Sequence, residues 1–82
     1  MVKKVEPPRE LLEEWEREDE EARRIRRERA DWKFIEEQPP RIRAALLLYV
    51  ETGDPYKAAR IAGMSLGEFD EVRRRAGIPV VV

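Results

Sequence analysis

A long stretch without glycine or proline limits the folds open to this chain more than any other feature. It runs from Arg9 to Gln38 and is closed by Pro39 and Pro40, and proline ends or bends a helix. Several acidic residues precede a basic residue by four positions, the order that supports a helix best; these pairs are Glu13–Arg17, Asp19–Arg23 and Glu20–Arg24. The pattern predicts one charged helix over residues 9–38, about 45 Å long at roughly 1.5 Å per residue.

The apolar residues of this helix indicate what it packs against. Charge pairs contribute only a few tenths of a kcal/mol each, so the helix needs a partner surface. Two interpretations stay open: a solvated helix pinned to the domain by Trp32, Phe34 and Ile35, or a coiled-coil-like seam to a second copy or another protein. We expect residues 9–38 to be the main protein-binding surface, through Leu11, Leu12, Trp15, Ile25 and Trp32.

The second half of the chain predicts three shorter helices with defined ends. The segment RIRAALLLYVETG is apolar almost all round, which is typical of a central helix packed on more than one side. Gly53 is suited to end it, and Asp54 followed by Pro55 is suited to start the next. Gly63 then ends that helix, and the last one should start at Ser65 with a capping box from Glu68 and end at Gly77.

Small and apolar residues in this half have the spacing of a helix-turn-helix unit. Ala59, Gly63, Phe69 and Val72 occupy the positions where two helices meet, with Leu66 expected to join the buried stripe. An ordinary helical hairpin is the alternative. We therefore predict an all-α protein with an extended charged helix over residues 1–40, and a compact helix-turn-helix domain with a C-terminal tail over residues 41–82.

The C-terminal segment IPVVV is β-branched and uncharged, and no strand is expected elsewhere in the chain. We expect Val80, Val81 and Val82 to pair across a dimer or to add to the sheet of a partner. A tail folded onto its own helices is the alternative.

Composition bears on which classes of protein are possible. The chain has no His and no Cys, one Ser that serves as a helix cap, and no glycine-rich phosphate loop, so we expect no enzyme, no cofactor and no metal site. The run Glu18 to Glu21 is followed by arginines and lacks a chelating loop, so it is not expected to bind a metal ion.

No apolar run spans a membrane and Met1 to Pro8 is too polar for a signal peptide, so we expect a cytoplasmic protein. Charged residues make up 43% of the chain, which suggests a heat-adapted source.

The stretch from Ala44 to Val80 contains KAARIAGMS, EF and the closing AGIPV. It resembles small prokaryotic antitoxins of the VapB-like kind, in a group that ends in a helix-turn-helix followed by a Gly-Ile-Pro tail. The resemblance covers less than half of the chain. It implies an antitoxin that neutralises a toxin, in archaea typically a PIN-domain ribonuclease, and that represses its own operon as a transcription regulator.

Charge distribution indicates weak DNA binding at most. Residues 1–40 carry 10 basic and 13 acidic side chains, whereas residues 41–82 carry 7 basic and 5 acidic ones. The first turn of the last helix is acidic, which opposes base readout. We expect weak, salt-sensitive phosphate binding by a homodimer, with Gly67 allowing close backbone approach. The basic candidates are Arg41, Arg43, Lys57, Arg60, Arg73, Arg74 and Arg75. The alternative is a protein-interaction module whose helix-turn-helix is purely structural.

Overall fold

The structure, a computed structural model, describes residues 8–82 and contains five helices in that range. They are α1 (Arg9–Arg29), α2 (Trp32–Glu37), α3 (Pro40–Thr52), α4 (Pro55–Ala62) and α5 (Leu66–Arg75), followed by a tail without regular structure. No strand occurs in these residues, and the predicted all-α class is confirmed. Residues 1–7, which belong to the predicted extended segment, lie outside the described residues.

The helix boundaries of the second half follow their predicted causes. Gly53 and Gly63 end α3 and α4 in the left-handed conformation, at φ 69° and 68°. The Asp54 carboxylate accepts hydrogen bonds from the first amides of α4, and the reciprocal capping box of Ser65 and Glu68 starts α5. The three predicted helices are confirmed, with α4, a short turn and α5 forming the helix-turn-helix.

The prediction of a single helix over residues 9–38 is wrong, because the helix is interrupted between Arg29 and Trp32. Ala30 adopts an extended conformation, and the Asp31 carboxylate caps α2 by accepting from the Phe34 amide over 3.1 Å. The Asp31 amide donates to the Ala76 carbonyl over 2.7 Å, which ties the break to the end of α5. The break turns α2 so that Ala30 and Ile35 both enter the core.

The core is built around α3, which packs against α1, α2 and α4. Leu46 and Val50 of α3 are completely buried, and the Tyr49 ring lies 5.8 Å from that of Phe69 on α5. Because Ala30 and Ile35 are also core residues, the compact body begins before residue 41. Leu66, expected in the buried stripe, is 41% exposed because it lies in the first turn of α5, at the edge of the body. The buried apolar residues are Ala30, Ile35, Ala45, Leu46, Tyr49, Val50, Ala58, Ala59, Phe69, Ala76 and Ile78.

Arginines near the end of α1 fasten it to the C-terminus of α3. The Arg26 guanidinium is buried and donates from Nε to the Val50 carbonyl over 2.8 Å. Arg27 binds the Glu51 carboxylate over 2.6 Å, and Arg23 donates to the Glu51 carbonyl over 3.0 Å instead of pairing with Asp19. Cations are favourable there because the last carbonyls of a helix carry partial negative charge. This attachment fixes the direction in which the rest of α1 leaves the body.

The first part of α1 extends past the body. Every residue from Leu12 to Glu21 is exposed, whereas Ala22, Arg23, Ile25 and Arg26 are half-buried or buried. The described chain is accordingly elongated, measuring 49 × 30 × 18 Å. We call residues 9–21 of α1 the overhang. Among residues 8–82 no helix combines the length and apolar character needed to cross a bilayer.

Candidate functional site

The overhang exposes large apolar side chains that a folded monomer does not cover. Trp15 is 46% exposed and Leu12 41% exposed. Trp15 precedes Ala22 by seven residues and Arg26 by eleven, so it lies on the same helical face as the residues that contact the body. The apolar face of the overhang is thus the continuation of the packed face of α1, beyond the point where the body ends.

A cleft separates this face from the C-terminal tail. Its volume is about 510 Å³. Ala22 and Ile25 of α1 form one side and the tail forms the other, and three carboxylates of α1 also line the cleft. We call this cleft the inner corner, and it is lined by Glu18, Asp19, Glu21, Ala22, Ile25, Val81 and Val82.

The predicted partner-binding residues separate into two groups. Ile25, Val81 and Val82 meet in the inner corner, and Leu11, Leu12 and Trp15 lie further along the overhang. The other two residues lie outside the inner corner. The Trp32 indole donates to the Arg27 carbonyl over 3.0 Å at the junction of α1 and α2, and Val80 lines a separate groove of about 370 Å³ with Leu66.

The tail lies partly on its own helices. Ile78 is 1% exposed, and its carbonyl accepts from Nη1 of Arg73 over 2.6 Å. Val80 and Val82 remain exposed, and the tail forms no ladder with any described residue. Pairing of this tail with another chain stays a prediction.

The exposed face of α5 is mainly acidic at its start. Glu68 is engaged in the capping box: its carboxylate accepts from the Ser65 amide over 3.1 Å, and its own amide donates to the Ser65 hydroxyl oxygen over 3.2 Å. Hydrogen bonding to Ser65, chiefly to its backbone amide, lowers the pKa of the Glu68 carboxyl. Gly67 is exposed and has free space around it. Arg74 and Arg75 are each paired within the helix, with Asp70 over 3.0 Å and with Glu71 over 3.5 Å. The positive charges of Arg74 and Arg75 are therefore already partly compensated by carboxylates of the same helix.

Arg73 differs from its neighbours, and the prediction that it holds a phosphate does not fit its position. It is 8% exposed, and its Nε and Nη2 donate to Oδ1 of Asp70 over 3.0 and 2.7 Å. Its remaining arm holds the Ile78 carbonyl. The hydrogen bond from Arg73 also lowers the pKa of Asp70. Arg73 is thus a structural clamp between α5 and the tail.

The basic residues on α3 and α4 are arranged differently. Within residues 8–82, neither Arg41 and Arg43 nor Lys57 and Arg60 form an ion pair. Arg41 reaches the turn of the helix-turn-helix, where its Nη1 lies 3.6 Å from the position that a Cβ on Gly63 would occupy. These four cations are the ones best placed to hold phosphates.

Sequence reasoning missed the carboxylates of the inner corner as site residues. Glu18 and Asp19 follow Trp15 by three and four positions, and Glu21 precedes Ile25 by four, so helical spacing places them beside the apolar stripe. That spacing is the sequence signal that could have identified them. No sequence signal indicates that Arg26 is buried, because its hydrogen-bond partner lies in another helix.

No group of three acidic side chains within residues 8–82 is arranged to hold a metal ion. Comparison of the chain with protein-family models, with curated proteins and with solved structures found no match in any of the three.

Proposed function

We propose that this chain is an antitoxin-like regulator that holds a partner protein with the overhang of α1 and touches DNA only weakly. The proposal assigns the binding of the partner to Leu11, Leu12 and Trp15, together with the inner corner. The remainder of the chain serves as a folded base that fixes the direction of α1.

One observation carries this proposal: Leu12 and Trp15 remain exposed on a helix whose attached end is firmly held. Exposing tryptophan and leucine to water along one face of a helix is unfavourable unless another surface covers them. Aromatic side chains account for a large share of the binding energy at protein interfaces. A preformed helix also loses less entropy on binding than a disordered segment does.

The partner class comes from the resemblance to VapB-like antitoxins, which supports a PIN-type ribonuclease toxin. A homodimer, expected from the sequence, stays a prediction. The alternative of a protein-interaction module with a structural helix-turn-helix shares the same docking surface and differs only in lacking contact with DNA.

Copurification from the source cells tests the docking surface. The tagged chain is compared with a Leu12→Ala and Trp15→Ala double variant, and with Leu47→Ala as the matched control. Leu47 is 41% exposed, like Leu12, but lies on α3. We expect the double variant to lose a protein that the wild type and the control both retain. Equal recovery of that protein by all three would contradict the proposal.

The unpaired cations on α3 and α4 favour DNA contact as a second activity. Gel-shift titration on the upstream region of the gene, at two salt concentrations, tests this with two double variants. One carries Arg41→Ala and Arg60→Ala, and the other carries Arg74→Ala and Arg75→Ala. We expect the first double variant to lose more DNA affinity than the second, and the affinity of the wild type to fall steeply with salt. No shift at low salt, with or without the partner, would favour the purely structural helix-turn-helix.

A further inference from the structure

The charge of the overhang is one-sided. Between Glu10 and Glu21 the helix carries eight carboxylates and a single basic residue, Arg17, for a net charge of −7. The one ion pair that this part forms with described residues joins Arg9 and Glu13 over 3.3 Å. The next eight residues of α1 reverse the sign, with five arginines against Glu28. Three of those arginines are used to hold the end of α3.

This distribution bears on what covers Leu12 and Trp15. A second copy docking through its own overhang would place two segments of charge −7 side by side around the same apolar stripe. Like charges close together across an interface repel and weaken the association. The basic end of a second α1 is no substitute, because its inner face is already covered by its own body. Charge repulsion therefore disfavours a dimer in which two copies dock through their overhangs.

We propose that the occupant of the overhang and inner corner is a cationic amphipathic helix of another protein; this rests on the proposed function. The apolar residues of α1 recur at spacings of three, four and seven, which is the stripe that a second helix covers. Glu18 and Asp19 line the inner corner beside that stripe. Lysines or arginines beside the apolar ridge of the incoming helix would pair with these carboxylates. Charge would then direct the encounter, and Trp15 would supply the contact area.

Synthetic helical peptides test this directly. Three 21-residue peptides share leucine on one face and carry lysine, glutamine or glutamate elsewhere. The chain has two tryptophans, so Trp32→Phe leaves Trp15 as the only fluorescent indole. We expect the lysine peptide to shift Trp15 emission to shorter wavelength, to bind roughly tenfold more tightly than the glutamine peptide, and to weaken with added salt.

Two matched triple variants locate the charge effect. Glu18→Gln, Asp19→Asn and Glu21→Gln neutralise the inner corner, whereas Glu13→Gln, Glu16→Gln and Glu20→Gln remove equal charge from residues that do not line it. We expect the inner triple to lose roughly tenfold more affinity than the outer triple, and sedimentation to show that the free chain does not associate through the overhang.

Each contrary result has a distinct meaning. Equal binding of the lysine and glutamine peptides, or equal loss in both triple variants, would overturn the charge inference while the docking surface stands. Self-association that Trp15→Ala abolishes would assign the surface to a second copy. Failure of every peptide to change Trp15 emission would overturn this inference, and the copurification result would then decide the docking surface separately.

Discussion

Nε of Arg26 donates to the carbonyl oxygen of Val50 across 2.8 Å, joining two helices at residues that are twenty-four positions apart. The same guanidinium lies against Gly53, where a Cβ would be 2.9 Å from its Nη1. A buried cation thus occupies the negative end of α3, and it sets the angle at which the overhang leaves the body.

Replacement of Arg26 by Ala should destabilise the fold. The substitution leaves the buried Val50 carbonyl without its side-chain donor, and a hydrogen bond to a charged group contributes about 1.5–3 kcal/mol. Chemical denaturation measures the free energy of unfolding, with Arg24→Ala as the exposed control expected to change it by about 0.5 kcal/mol or less. Equal effects of the two substitutions would show that the Arg26 contact is not stabilising.

The Arg73 clamp should behave as a structural residue. Arg73→Ala removes three hydrogen bonds and orphans the Ile78 carbonyl, so we expect a loss of about 2–3 kcal/mol in the free energy of unfolding. The control is Arg75→Ala, whose pair with Glu71 is exposed and worth about 0–1 kcal/mol. Weaker DNA binding by Arg73→Ala without any loss of stability would instead support the phosphate role predicted from the sequence.

Two glycines should respond to alanine in opposite directions. Gly53 has φ 69°, a region that costs a residue with a side chain about 1–2 kcal/mol, so Gly53→Ala should destabilise. Gly67 lies in α5 with free space around it, so Gly67→Ala should stabilise by about 0.5–1 kcal/mol. Thermal unfolding measures both. A gain in stability accompanied by weaker DNA binding would indicate that the Gly67 backbone approaches DNA; a loss of stability would contradict the account of α5.

The sequence predicts those features of the fold that are determined by residues close together in the chain. Gly53, Asp54, Ser65 and Glu68 act within one turn of themselves, and their predicted roles match the structure. The break at Asp31 depends on a tertiary gain, the burial of residues on both sides of it. A capping residue in the middle of a charged stretch was its only local sign.

The sequence predicts only the part of the candidate site that depends on local helical spacing. Helical spacing alone places Trp15 and Ile25 on one side of α1. The meeting of Ile25 with Val81 depends on the path of the tail, which Arg73 fixes from another helix. Long-range contacts of this kind have no local pattern, so the sequence alone does not distinguish Arg73 from the exposed arginines that follow it.

Stability should fall in acid because two carboxyl groups have lowered pKa values in the folded state. Ser65 lowers the pKa of Glu68, and Arg73 lowers that of Asp70. A lowered folded-state pKa means that the stabilisation is complete above the unfolded-state pKa and is lost as pH falls through the folded-state value. We expect Tm to decrease below about pH 4, and to decrease less steeply for Glu68→Gln and Asp70→Asn. The same steepness in the variants would contradict these contacts.

Hydrogen exchange of the overhang, with and without the copurified partner, tests the central claim most directly. In the free chain the amides of residues 12–21 should exchange much faster than those of α3, because their helix has no cover. In the complex, exchange of residues 12–21 should slow markedly and the indole of Trp15 should become inaccessible to a collisional quencher. A complex in which residues 12–21 exchange as fast as in the free chain, while slowing appears elsewhere, would show that α1 is not the binding surface.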